Sequence, residues 1–158
     1  MAERTGSFDP IRILQVLDRH RVHYIVIGAL ARVIHGTDEV TTGLDIVPSS
    51  RPENLHRLEL AIRELREEET LKTEIMNEPV VLDTPAGELN VVIEPDGTKG
   101  YDDLRRAASR EPLGAGVRPA VASVGDLARM LAAHGADPVR LQGLRRVAEI
   151  EAGLGRQL

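Results

Sequence analysis

Residues 22–48 read VHYIVIGALARVIHGTDEVTTGLDIVP, and this stretch decides the fold. Its first six residues are β-branched or apolar with little alternation, the pattern of a strand buried on both faces. Gly28 ends that run. Residues 29–35 have the composition of a short helix, closed by Gly36. LDIV, residues 44–47, is a second buried strand stopped by Pro48. Asp45 stands alone among apolar neighbours there, and a semi-buried carboxylate needs a partner. Arg32, a pair of N–H groups and a metal ion are all open as that partner.

Working outward, residues 8–19 predict an amphipathic helix. Ile11, Leu14 and Leu17 fall at helical spacing, Ser7 or Asp9 can cap it, and Pro10 sits in the first turn. Residues 52–69 predict the longest helix, with Leu55, Leu58, Ile62 and Leu65 on one stripe and a solvated Glu67-Glu68-Glu69 end. Strands follow at about 71–76, 79–83 and 88–94, with Pro85-Ala86-Gly87 as a hairpin signal between the last two. Residues 101–109 read as a helix, and the Gly- and Pro-punctuated stretch 112–120 leads to a short strand near Ala122. Ser123 then caps a helix ending at Gly135, and Asp137-Pro138 opens a last helix to about residue 152. The expected architecture is a single α/β (α+β) domain over 1–158. Its sheet core spans about 22–122, and a helical C-terminal end spans about 123–153.

Composition excludes several classes of function. At 158 residues the chain can bury roughly 70% of its unfolded surface. It has no Cys, which removes disulfides, thiolate zinc sites and cysteine nucleophiles. No apolar run approaches the roughly 20 residues of a membrane span, and no signal peptide opens the chain, so a cytoplasmic location is expected. Twenty basic against 25 acidic residues give a net charge of −5, which argues against bulk coating of nucleic acid. Aromatics are Phe8, Tyr24 and Tyr101 alone, too few for a base-stacking platform.

The 22–48 block, continued through PENLHRLELAIREL, DTPAGELNVV, EPDGTKGYDDLRRAA and VASVGDLARM, resembles the minimal nucleotidyltransferase fold of the DNA polymerase β superfamily, and most closely its AbiEii-type group. That group includes toxin nucleotidyltransferases of toxin–antitoxin pairs. The resemblance implies a nucleotidyltransferase-like mixed sheet flanked by helices. It also implies Mg2+ as cofactor, NTP and tRNA as substrates, and an antitoxin-like protein partner. Nucleotidyl transfer is a displacement at a polyanionic phosphate. Carboxylates on neighbouring strands hold the metal ions, and a glycine turn at a helix N-terminus cradles the triphosphate.

Laid on the family pattern, Gly28 and Ala29 take the nucleotide-binding turn. Thr41, with Thr42 beside it, takes the position two residues before the first metal Asp. That first Asp is Gly43 here; the second is Asp45, the expected catalytic and metal residue; the third is Asn90. Leu131 stands where the family places a Lys. Two of three carboxylates are thus replaced, and a neutral amide ligates without contributing charge. Glu88, two residues before Asn90 and so on the same strand face, is a replacement ligand, and Asp83 on the partner strand is another.

The resemblance therefore supports a weakly active or inactive relative, a pseudoenzyme. A non-enzymatic partner-binding or regulatory module is the alternative, as is an active enzyme with rearranged carboxylates acting on tRNA. Plainer roles stand beside each site residue: Gly28 as a simple turn, Thr41 and Thr42 as loop order, and His35 as a helix-end histidine bonded to a carbonyl rather than to substrate. Arg105-Arg106 and Arg145-Arg146 read first as solvated helix faces, and His20 with His23 as no zinc site.

Overall fold

The computed structural model describes residues 8–67, 79–135 and 138–157. The helix expected first is α1 (Pro10–Arg19), capped by the Asp9 side chain accepting from the Arg12 N–H, with Pro10 in the first helical position. The decisive stretch folds as β1 (Tyr24–Ile27), α2 (Gly28–His35) and β2 (Gly43–Pro48). Gly36 closes α2 in the left-handed conformation, as its position after the helical run requires. The long helix α3 (Pro52–Arg66) stops at Glu67, itself left-handed. The strand expected at 71–76 and the rest of the glutamate run lie outside the described residues.

Next come β3 (Val80–Thr84) and β4 (Gly87–Val91), joined by a two-residue turn at Pro85 and Ala86. The segment 101–109 departs from its expected helix. Only α4 (Tyr101–Leu104) is helical; the chain then turns, and β5 (Ser109–Arg110) pairs antiparallel with β6 (Ala120–Val121). Sheet pairing thus overrides the helical composition of this segment. The last elements are α5 (Val124–Ala133), capped by Ser123 accepting from the Asp126 N–H, and α6 (Pro138–Gln157), which runs past the expected end.

The six strands form one mixed sheet in the order β3-β4-β2-β1-β6-β5. β2 is antiparallel to β1 and parallel to β4, so α3 and β3 lie on the connection between these parallel neighbours. One sheet face carries Leu44, Ile46 and Leu89, all fully buried, in a core shared with Leu14 and Leu17 of α1 and Leu58 and Ile62 of α3. Burial on this face supplies the main driving force, at about 25 cal/mol per Å² of apolar surface.

Asn54 fastens α3 to the sheet. Its buried side chain accepts from the His23 N–H at 2.7 Å and donates to the carbonyls of His23 (3.0 Å) and Ser49 (2.8 Å). On the surface, Glu64 of α3 links back to α1 through Arg19 and through the His20 ring at 2.8 Å. The His20 bond, with Arg19 and Arg12 nearby, holds the Glu64 carboxyl below its usual range. No helix among the described residues is long and apolar enough to cross a membrane.

Candidate functional site

Strand alternation brings Asp45 to the second face of the sheet, away from Leu44 and Ile46. Asp45 pairs in register with Asn90 on β4 and with Ile27 on β1. Gly28, the first residue of α2, follows Ile27 with φ +73. A Cβ on Gly28 would lie 2.0 Å from Asp45 Oδ2. Glycine is required there on two counts: the left-handed backbone and the close approach of the carboxylate.

Asn90 is the hub of a small polar chain. Its Nδ2 donates to Asp45 Oδ1 at 2.6 Å and to Glu88 Oε1 at 3.2 Å. Its Oδ1 is buried without a hydrogen-bond partner among the described residues. This orientation places N–H groups, not a lone pair, between two carboxylates. Burial pushes the Asp45 carboxyl above its ordinary range. The Asn90 bond and nearby Arg32 pull it down, and Glu88 adds to the rise.

The Gly43 backbone lies outside the positive-φ region, so glycine is not demanded by conformation. Space is the tighter constraint, because a Cβ would sit 3.2 Å from both the Cβ and the carbonyl of Glu88. Thr41 Oγ1 donates to the Gly43 carbonyl at 2.8 Å, which fixes the loop entering β2. Thr42 is exposed, and Ala29 forms part of the first turn of α2. Asp83 stands opposite Glu88 in the β3–β4 register and is exposed. The structure thus joins Asp45, Asn90 and Glu88 directly, sets Gly28 against them, and leaves Asp83 at the periphery.

A cavity of about 290 Å³ opens above Asp45. Gly28 and Arg32 line it, Leu127, Met130 and Leu131 form an apolar wall, and Asp96 and His134 stand at its rim, 3.3 Å apart. Arg32 does not bond Asp45. Its buried guanidinium makes a two-pronged pair with Glu39, 2.8 Å from Nε and 3.0 Å from Nη2. Burial alone would raise the Glu39 carboxyl, but the bonds from Arg32 and Thr37 hold it below the ordinary range. His35 Nε2 contacts the Ala122 carbonyl at 2.8 Å, the helix-end role. His20 is engaged by Glu64, whereas His23 lies by the α3 N-terminus.

Two elements here escape sequence reading. Glu39 follows a His-Gly helix end with no pattern marking it as Arg32's partner, and Asp96 and His134 sit 38 positions apart. The donor set also bears on a divalent ion. No group of three or more His, Cys, Asp or Glu among the described residues is placed to hold one. An amide directed at both carboxylates suits hydrogen bonding better than cation binding.

Compared with protein-family profiles and with curated protein sequences, the chain finds no match. Among solved structures it is similar to a "putative nucleotidyltransferase" from Thermotoga maritima. The TM-score is 0.54 at 13% identity, over 98% of this chain and 99% of the other. The likeness defines the class of fold: a nucleotidyltransferase-like mixed sheet with flanking helices.

Proposed function

We propose that this chain is a nucleotidyltransferase-like protein, of the AbiEii-type group it resembles, in which metal-dependent nucleotidyl transfer is lost or greatly weakened. The observation that carries this reading is Asn90. Its amide hydrogens occupy the approach between Asp45 and Glu88, where a transferase of this fold needs a third carboxylate oxygen. Metal ions stabilise the developing phosphate charge by several kcal/mol, and each 1.36 kcal/mol is tenfold in rate. Loss of charge at positions 43 and 90, with Leu131 in place of a cation, therefore removes several orders of magnitude. What the residues still do is hold a half-buried carboxylate beside a helix start with no side-chain cap, under an apolar cavity.

The test is incubation with labelled NTPs, Mg2+ or Mn2+ and total tRNA, with Asp45→Ala as control. No label transfer is expected; transfer that disappears in the control overturns the reading. Restoration is the complement. Gly43→Asp with Asn90→Asp is expected to raise Mn2+ affinity at least tenfold over the parent, and equal, negligible binding counts against a lost metal site.

A second reading, transfer to tRNA by a rearranged carboxylate set, draws on one observation and requires Asp83 to move inward, since no three such groups among the described residues are placed to hold an ion. Asp83 faces Glu88 across β3–β4, and Glu88 is joined through Asn90 to Asp45. In that reading Asp83→Ala and Glu88→Ala abolish label transfer as fully as Asp45→Ala. A regulatory role beside an antitoxin-like partner accords with the first reading and needs no transfer.

A further inference from the structure

We infer that the cavity above Asp45 takes a phosphate-free ligand of nucleoside size, its ring against Leu127, Met130 and Leu131 and its amino group donating to Asp45. The inference rests on the proposal that metal-dependent transfer is lost, because a bound divalent ion would reverse the charge of the pocket.

Charge argues first. Asp45 lies within the cavity and Asp96 at its rim, while the one buried cation lining it, Arg32, has its guanidinium engaged by Glu39, a carboxylate it shares with Arg140. His134, also at the rim, has its Nδ1 3.3 Å from Asp96 Oδ2. A triphosphate entering this space meets two carboxylates, and the cation lining it is already committed to a third.

The start of α2 is the natural alternative for a phosphate, since its N–H groups have no side-chain cap. Asp45 stands beside that helix end without bonding it, its Oδ2 2.0 Å from where a Gly28 Cβ would lie, so an anion settling there meets a carboxylate at close range. The apolar wall has the opposite preference. Leu127, Met130 and Leu131 offer a heterocycle dispersion and burial, and offer a phosphate only lost hydration.

Size and polarity then narrow the class. About 290 Å³ is at the lower end of small-molecule sites, about 300–1,000 Å³, which suits a nucleoside better than a triphosphate. Among the described residues, Asn90 is the one hydrogen-bond donor on the Asp45 carboxylate, and it uses Oδ1. The acceptor capacity that is left matches an amino group on the ligand.

Isothermal titration of the full chain tests this with adenosine and cytidine, with uridine as a control of the same size lacking the amino group, and with ATP with and without Mg2+. Adenosine or cytidine is expected to bind at least tenfold more tightly than uridine and than ATP in either form. Asp45→Asn is expected to remove at least tenfold of that affinity, with its fold checked by thermal melting. Leu131→Lys, at a half-exposed position, is expected to shift preference toward ATP. The inference is overturned if no nucleoside binds, if uridine matches cytidine, or if ATP binds as tightly as adenosine. Failure of nucleoside binding without label transfer overturns this inference alone. Asp45-dependent label transfer overturns the proposed function and this inference with it.

Discussion

Two carboxylates lie near Arg32, one in the loop before β2 and one on it, and are treated in opposite ways. Glu39 receives two bonds from the buried Arg32 guanidinium, one from Thr37, and Arg140 at 3.4 Å, and its carboxyl is held down. Asp45 receives one amide bond, shares that amide with Glu88, and is pushed up by burial. The first arrangement closes its own electrostatics and serves as scaffold. The second leaves a charge unsettled on an open sheet face, the condition that marks binding sites more often than structural ones.

The largest expected effect breaks the closed side. Arg32→Ala leaves Glu39 half-buried without its main partner and is expected to cost about 3 kcal/mol, measured by urea denaturation. The double variant with Glu39→Ala is expected to recover part of that loss. If the single variant costs under about 1 kcal/mol, the contrast between the two carboxylates fails.

Next is Gly28→Ala, which places a methyl group against Asp45 Oδ2 and strains a backbone at φ +73. A cost of about 2 kcal/mol is expected. Combining it with Asp45→Ala should return about 1 kcal/mol through a double-mutant cycle, because the clash disappears while the backbone strain persists. Strict additivity would separate Gly28 from the site.

A smaller, pH-dependent effect sharpens the open side. Because the folded-state Asp45 carboxyl is raised, the folded chain binds more protons than the unfolded one above about pH 4, the ordinary carboxylate range. Stability from this group therefore falls as pH rises through that window. Asp45→Asn is expected to gain stability relative to the parent from pH 4 upward, read from melting curves at several pH values. Glu39 has the reverse sign: its contribution is present above the ordinary range and is lost on acidification. The smallest effect is expected from Thr41→Val, about 1 kcal/mol or less, since it removes one good loop hydrogen bond to the Gly43 carbonyl and a long one from the Gly43 N–H.

Much of the placement of Asp45 was legible in the chain. Continuous apolar runs mark the strands at 22–27 and 44–47, and the resemblance to the nucleotidyltransferase fold implies that Asp45 and Asn90 meet on adjacent strands beside Gly28, as they do. The ends of β1, α2 and α5 follow local signals, Gly28, Gly36 and Ser123 among them. Long-range choices were not legible. Arg32 had Asp45 and Glu39 within reach, and only the packed loop before β2 decides for Glu39. Residues 105–110 carry helical composition, yet the free edge of β6 captures Ser109 and Arg110. Local propensity is worth tenths of a kcal/mol per residue and yields to such pairing. The direction of the Asn90 amide is likewise a property of the assembled pair of carboxylates and has no sequence signature.

The Asn54 clasp has a kinetic consequence. One buried amide holds both backbone groups of His23 and the carbonyl of Ser49, joining the start of β1, the end of β2 and the first turn of α3. None of these three segments can open alone without stranding a buried polar group, so they exchange their amide hydrogens as one cooperative unit. Deuterium uptake at the His23 N–H is then expected to report the opening of this whole unit, although the residue stands at a strand end where fraying would otherwise be fastest.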